Sequence, residues 1–184
     1  MEQNNPFISS ALIVGFIIAI ISSAASLFLS YSVIGSEPGT STMIMMSAVG
    51  LVSCLIGIFA GMFAVRHHVK MFNQPLAMGR GAVIGLTAGA FVAIFATAIS
   101  LLWMLIDPAF TDKLMEAMVR SMESIPGAEA QVDAIYEQFQ SAKTFAGQAK
   151  SLGINLLVMG ALNAITGILG VKFFAPKPAD TDAL

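Results

Sequence analysis

Gly81-Ala-Val-Ile-Gly-Leu-Thr-Ala-Gly89 places glycine at every fourth position inside a long apolar run that carries no charge. In water a glycine inside a helix costs about 1 kcal/mol against alanine, so three on one stripe need another reason. Lipid supplies one. Apolar side chains gain nothing there by leaving water, and helices associate through close backbone approach and a few hydrogen bonds. Small side chains along one stripe permit that approach. The stripe continues in both directions as Ala77, Gly81, Gly85, Gly89, Ala93 and Thr97.

The composition fits that solvent. Of 184 residues, 57% are hydrophobic and 11% are charged, against about 25% charged in a soluble domain. Mean hydropathy is +0.82. A net charge of −2 implies no nucleic-acid partner. The single cysteine, Cys54, excludes an internal disulfide and a multi-cysteine metal site. It lies in an apolar run and is expected to pack as a small apolar residue.

A helix needs about 20 apolar residues to cross a bilayer. Four stretches qualify, at 7–31, 42–65, 82–106 and 152–174, and apart from Lys172 near the end of the fourth they hold no acidic, basic or histidine side chain. The first is too long, and too poor in flanking positive charge, to be a secretory signal, and is read as a retained anchor. The second is expected to stop at the basic Arg66-His-His-Val-Lys70 cluster. With Arg80, and with Lys172 and Lys177 near the C-terminus, that cluster assigns the second loop and both termini to the cytoplasm by the positive-inside rule. The first loop, with Glu37, and the acid-rich third loop then lie outside. Tyr31 and Trp103 fall near the outer ends of their spans, where aromatic rings favour the interface.

The third loop, 108–148, carries helical periodicity of its own. Asp107 before Pro108 is an expected N-cap with proline in the first turn. Leu114, Met115, Met118 and Met122 then share a helix face. Ile125-Pro-Gly-Ala-Glu-Ala130 breaks the run. A second helix is expected to carry Val132, Ile135, Tyr136, Phe139 and Phe145 on one side. The predicted fold is an all-α integral membrane protein, one membrane domain over 1–184. Four transmembrane helices carry an extracytoplasmic amphipathic helical hairpin between spans three and four, and a polar tail follows at 175–184. The hairpin's apolar faces must rest on the bundle's outer end, the lipid surface or another protein.

Each span offers a smooth seam for helix packing. The first has Ala11, Gly15, Ala19 and Ser23, and the second Ser53, Gly57 and Gly61. The third has Gly81, Gly85 and Gly89, and the fourth a seven-residue step, Gly153, Gly160 and Gly167. Steps of four suit right-handed crossings and the step of seven a left-handed one.

Candidates for chemistry are few. His67 and His68 are adjacent, so on a helix they diverge by about 100° and make no chelating pair. They read as a basic interfacial loop beside anionic lipid, with a single haem or pigment ligand as the alternative. No carboxylate or thiol lies near them in sequence to complete a metal site, and no cofactor is expected. Asn155, Asn163 and Thr166 are the polar residues of the fourth span. Asn155 and Asn163 are eight apart and share a face, so they either bond across helices or line a polar path. No acid, base or histidine sits at membrane depth, which argues against a self-sufficient transporter. Ser22, Ser23 and Ser26 lack a base to activate them, so no enzyme is expected. The methionines Met43, Met45, Met46, Met115, Met118 and Met122 could offer soft thioethers to Cu(I), but they serve equally as adaptable filler.

With this layout the chain resembles the DUF4199 family of small four-span membrane proteins, over about 12–174. The likeness rests on Gly15 in the first span and on Phe72-Asn-Gln-Pro-Leu-Ala-Met-Gly-Arg-Gly81 at the entry to the third. There Phe72 and Gly81 stand in for an F-x-x-A-x-x-x-G pattern with drifted spacing. The third element is Ile106 to Met118, leading to a helical segment before the last span. The resemblance implies a topology, no catalytic residues, and the cytoplasmic membrane of a Gram-negative bacterium. The expected function is that of a non-catalytic accessory or scaffold subunit of a larger membrane complex. The lipid bilayer and a protein partner or second copy are its expected partners. A small oligomeric channel or transporter lined by Asn155 and Asn163 is the alternative.

Overall fold

The computed structural model describes residues 6–176. Lys177 and most of the expected polar tail lie outside the described residues. The elements run α1 (Pro6–Ile34), α2 (Thr40–Ile58), α3 (Ala60–Phe72), α4 (Met78–Ile106), α5 (Phe110–Glu123), α6 (Glu129–Lys143) and α7 (Phe145–Phe174), with no strand among the described residues. Among the described residues four stretches are long and apolar enough to cross a membrane: Phe7–Ile34, Ser41–Phe72, Met78–Ile106 and Phe145–Phe174.

Two helix ends are set by local devices. The helix of the second membrane stretch continues through the basic cluster. Helix α3 carries Arg66, His67, His68 and Lys70 within it and ends at Phe72. Ala60, Gly61, Ala64, Val65, His68 and Val69 bury one face of this helix, so Arg66 and Lys70 project from the other. The stop is set by Asn73, which adopts the left-handed conformation (φ 45°) and gives its N–H to the Val69 carbonyl at 2.8 Å. The last helix begins at Phe145 because the Thr144 hydroxyl accepts the Gly147 N–H at 3.0 Å and caps it. Phe145 therefore belongs to α7 and not to the second hairpin helix.

Helices α5 and α6 pack against each other, joined by a turn in which Gly127 takes a φ of +84°. Val132, Ile135 and Phe139 are the half-buried stripe of α6, while Tyr136 is exposed. Asp107 is not the N-cap of α5. Ala109 takes that position without a side-chain cap, and the Asp107 backbone carbonyl accepts the Phe110 N–H at 3.0 Å.

The chain divides into two compact units. The first holds the described residues up to Ala19, Ile56–Phe95 and those from Asn155 on; the second holds Ile20–Leu55 and Ala96–Ile154. The core of the first unit is made of small and branched side chains: Ala11, Val14 and Ile18 of α1, Ala60, Ala64 and Val65 of α3, Ile84, Ala88 and Val92 of α4, and Val171 of α7. Its large side chains point outward. Phe16, Ile17, Leu86 and Leu157 are exposed, Leu157 by 76%. A water-soluble core is arranged the other way round, and this inversion is what an apolar solvent permits.

Within this unit the glycine seams are in use. A Cβ on Gly15 would fall 2.7 Å from Cβ of Phe91 and 3.1 Å from the Ala88 carbonyl. One on Gly81 would strike the Val171 side chain, and one on Gly89 the Met159 carbonyl. Of the seven-step series only Gly167 meets another backbone, at Gly81 and Gly85; Gly160 touches Leu86 at an ordinary 3.8 Å, and Gly153, in the second unit, faces open space.

In the second unit the Ser26 and Ser53 hydroxyls hydrogen-bond between α1 and α2. The turn into α2 is held by Thr42, whose hydroxyl donates to the Glu37 carbonyl at 2.6 Å. Cys54 is exposed, contrary to its expected packing, because its side of α2 faces away from the Ser53 contact.

Replacing Gly85 by alanine would drive a Cβ into the Asn163 carbonyl and is expected to cost about 1–3 kcal/mol as overpacking. Gly153→Ala meets open space and is expected to leave stability unchanged or slightly raised. Thermal unfolding of the two variants in the same detergent checks both.

Candidate functional site

The second membrane stretch is interrupted near its middle. Helix α2 ends at Ile58 and α3 begins at Ala60, with Phe59 between them at φ −83°, ψ −4°. In an unbroken helix the Gly61 N–H would bond to the Gly57 carbonyl four residues back. Here the side-chain amide of Asn163 occupies that rung. Its Oδ1 accepts the Gly61 N–H at 2.6 Å, and its Nδ2 donates to the Gly57 carbonyl at 3.1 Å and to the Met159 carbonyl at 2.9 Å. Thr166, one turn further along α7, donates its hydroxyl to the Ile58 carbonyl at 2.6 Å. The helical ladder resumes with the Phe63 N–H on the Phe59 carbonyl at 3.1 Å. A side chain inserted into the i→i−4 ladder is one of the few causes of a sharp helix kink.

The glycines explain why the amide can reach. A Cβ on Gly61 or on Gly85 would strike the Asn163 backbone carbonyl. Glycine on α3 and α4 thus lets α7 approach until Asn163 is fully buried, at 0% exposure. A burial this deep would be costly for an unpaired amide, but both hydrogens and the oxygen of this one have partners. The amide carries no charge and does not titrate, so the arrangement acts as a clasp.

The structure brings Asn163 and Thr166 together and leaves Asn155 out, exposed on α7. The break in the second membrane stretch is not among the features expected from the sequence. Its one available signal was Gly57-Ile-Phe-Ala-Gly61, with two glycines bracketing the missing rung.

His67 and His68 lie on helix α3, not in a loop. His67 Nδ1 is 3.1 Å from the Ser10 hydroxyl. His68 is buried, its ring 4.9 Å from that of Phe72. Among the described residues no group of three His, Cys, Asp or Glu side chains gathers as metal ligands would. Met46 and Met118 line one apolar cleft of the second unit, which Met43, Met45, Met115 and Met122 do not line.

A second polar cluster joins the ends of α1 and α4 within the second unit. Trp103 Nε1 donates to the Tyr31 hydroxyl at 3.2 Å, and that hydroxyl donates to Asp107 Oδ2 at 2.8 Å. Lys113 Nζ lies 3.3 Å from both carboxylate oxygens. The Tyr31 ring packs 5.2 Å from Phe110 and 6.3 Å from Trp103. The aromatic pair expected at a membrane interface is thus a hydrogen-bonded chain ending on a carboxylate. The Tyr31 hydroxyl above all, and then Lys113, favour the charged carboxylate and hold the Asp107 pKa below the ordinary aspartate value.

The chain matches no family model, no curated protein and no solved structure.

Asn163→Ala strands the Gly61 N–H and the Gly57 carbonyl in the interior and is expected to cost about 1–3 kcal/mol, with faster hydrogen exchange at Gly61. Asn155→Ala is expected to change neither. Thermal unfolding and site-resolved exchange read the two outcomes. For Asp107 the folded pKa lies below the unfolded one, so its stabilisation is complete above the ordinary aspartate range and is lost as pH falls through the lower folded value. Emission of Trp103, the single tryptophan, should report an acid transition below that range. Asp107→Asn should remove the transition.

Proposed function

We propose that this chain is a non-catalytic integral membrane protein serving as an accessory or scaffold component of a larger membrane assembly. One observation carries the reading. The polar groups at the Asn163 clasp are closed upon one another, while the outward surface is a continuous supply of large apolar side chains. Phe28, Leu105, Ile106 and Phe173 are each at least 69% exposed. Such faces suit lipid and the flanks of neighbouring helices, through which a partner protein or a second copy would be held. The channel reading, lined by Asn155 and Asn163, has less support, since one amide is sealed by backbone groups and the other stands apart from it.

In this proposal both chain termini and the α3–α4 connection face the cytoplasm, because Arg66, Lys70 and Arg80 cluster there, and the α5–α6 hairpin lies outside. The bacterial inner membrane is the location that the DUF4199 resemblance implies.

The test is extraction of the tagged chain from its native membrane in mild detergent, with mass analysis of what accompanies it. A stoichiometric second protein is the expected result, and recovery as a homo-oligomer alone would remove the accessory role. In the same membranes, with Cys54→Ala as background, Ser124→Cys should react with an impermeant thiol reagent in spheroplasts and Gln74→Cys should not.

A further inference from the structure

Charge is unevenly divided between the two units. Every acidic residue in the described stretch, from Glu37 to Glu137, belongs to the second unit, where Lys113 and Lys143 are ion-paired with Asp107 and Asp112. The described part of the first unit holds Arg66, Lys70, Arg80 and Lys172 and no carboxylate side chain at all. Glu2, Asp180 and Asp182 lie outside the described residues.

The four cations gather where three helix ends meet. Arg66 and Lys70 are four apart on α3 and share a face, and both are exposed. The Arg66 guanidinium lies 5.4 Å over the ring of Phe174, in the last turn of α7, which also carries Lys172. Arg80 precedes Gly81, the residue that abuts Val171 and Gly167 of α7. Val69 of α3 and Val171 of α7 belong to the same buried cluster, and Leu76, from the connection between α3 and α4, packs against it. The apolar cluster thus holds the helix ends in place, with exposed cations around it.

No described carboxylate of this unit offsets these four cations. An anion presented at the ends of apolar helices would do so. The phosphodiester of an acidic membrane lipid has that chemistry. Arginine can grip phosphate oxygens in bidentate fashion and lysine supplies a point charge, while the exposed apolar flanks of α3 and α7 suit the acyl chains.

We propose that Arg66, Lys70, Arg80 and Lys172 form a binding surface for the phosphate of anionic phospholipid head groups. The proposal rests on the membrane reading but is independent of the accessory role.

The test uses the full chain in neutral detergent, titrated with phosphatidylglycerol or phosphatidylcholine, the bound lipid being counted by native mass spectrometry. Phosphatidylglycerol should be retained in preference to phosphatidylcholine. Each of Arg66→Gln, Lys70→Gln, Arg80→Gln and Lys172→Gln should weaken its binding by about fivefold, the effect of one surface cation on attraction to acidic lipid. The paired variant Arg66→Lys with Arg80→Lys keeps the charge and should retain most of the binding. Lys113→Gln with Lys143→Gln in the second unit should have no effect. Equal retention of the two lipids, or undiminished binding by the fourfold glutamine variant, would overturn the proposal. So would complete displacement of the lipid by millimolar inorganic phosphate, which would mark a site for the free anion. A lipid-indifferent protein that still requires detergent would sink this inference and leave the membrane reading intact.

Discussion

A backbone N–H or carbonyl without a partner is costly in hydrocarbon, where no water can take the missing place. The first unit is built around one solution to that problem. The rung between Gly57 and Gly61 is open, and the Asn163 amide fills it with a donor and an acceptor of the correct sense. Thr166 satisfies the adjoining Ile58 carbonyl. The interrupted α2–α3 run and α7 are thereby joined by a side-chain amide on main-chain groups. The join is directional, which apolar packing between lipid-solvated helices is not.

The glycine pattern follows from the clasp. An amide reaches the backbone of a neighbouring helix only if that helix presents no Cβ at the point of approach. Gly61 and Gly85 both face the Asn163 carbonyl, so α3 and α4 close on α7 at one level. Ala88 and Val92 of α4 then pack with Ala11 and Val14 of α1. Tolerance to substitution should therefore be lowest on these inner stripes and highest at the outward Ile, Leu and Phe positions, where one large apolar group is as good as another to an acyl chain.

The second unit is held by different means. Its core is thinner, and hydroxyl and ionic contacts do more of the joining. These include the Ser26–Ser53 pair, Thr42 on the Glu37 carbonyl, and the Trp103–Tyr31–Asp107–Lys113 chain. Aromatic rings with one polar atom, such as Trp103 and Tyr31, are favoured at membrane interfaces.

Much of this was legible in the residues. A charge-free run of apolar residues with small side chains at every fourth position has one economical reading, a membrane helix with a packing seam. The four spans, the Pro-Gly break between α5 and α6 and the apolar stripe of α6 follow from length, periodicity and turn chemistry, all local properties. What escaped depends on atoms distant in sequence or on competing local devices. The Arg66–Lys70 cluster does not end its helix, since charges are tolerated on an exposed face and only the left-handed Asn73 turns the chain. Asp107 has the look of a cap, yet its carboxylate is claimed by Tyr31, 76 residues away. Asn155 and Asn163 share a helix face by spacing, but burial separates them, because the partner glycines lie opposite only one of them. Composition and periodicity decided the solvent and the number of stretches long and apolar enough to cross a membrane. Which polar group closes which gap in the backbone was decided by tertiary approach alone, because a hydrogen bond needs its partner within about 3 Å and no spacing along a single chain encodes that distance.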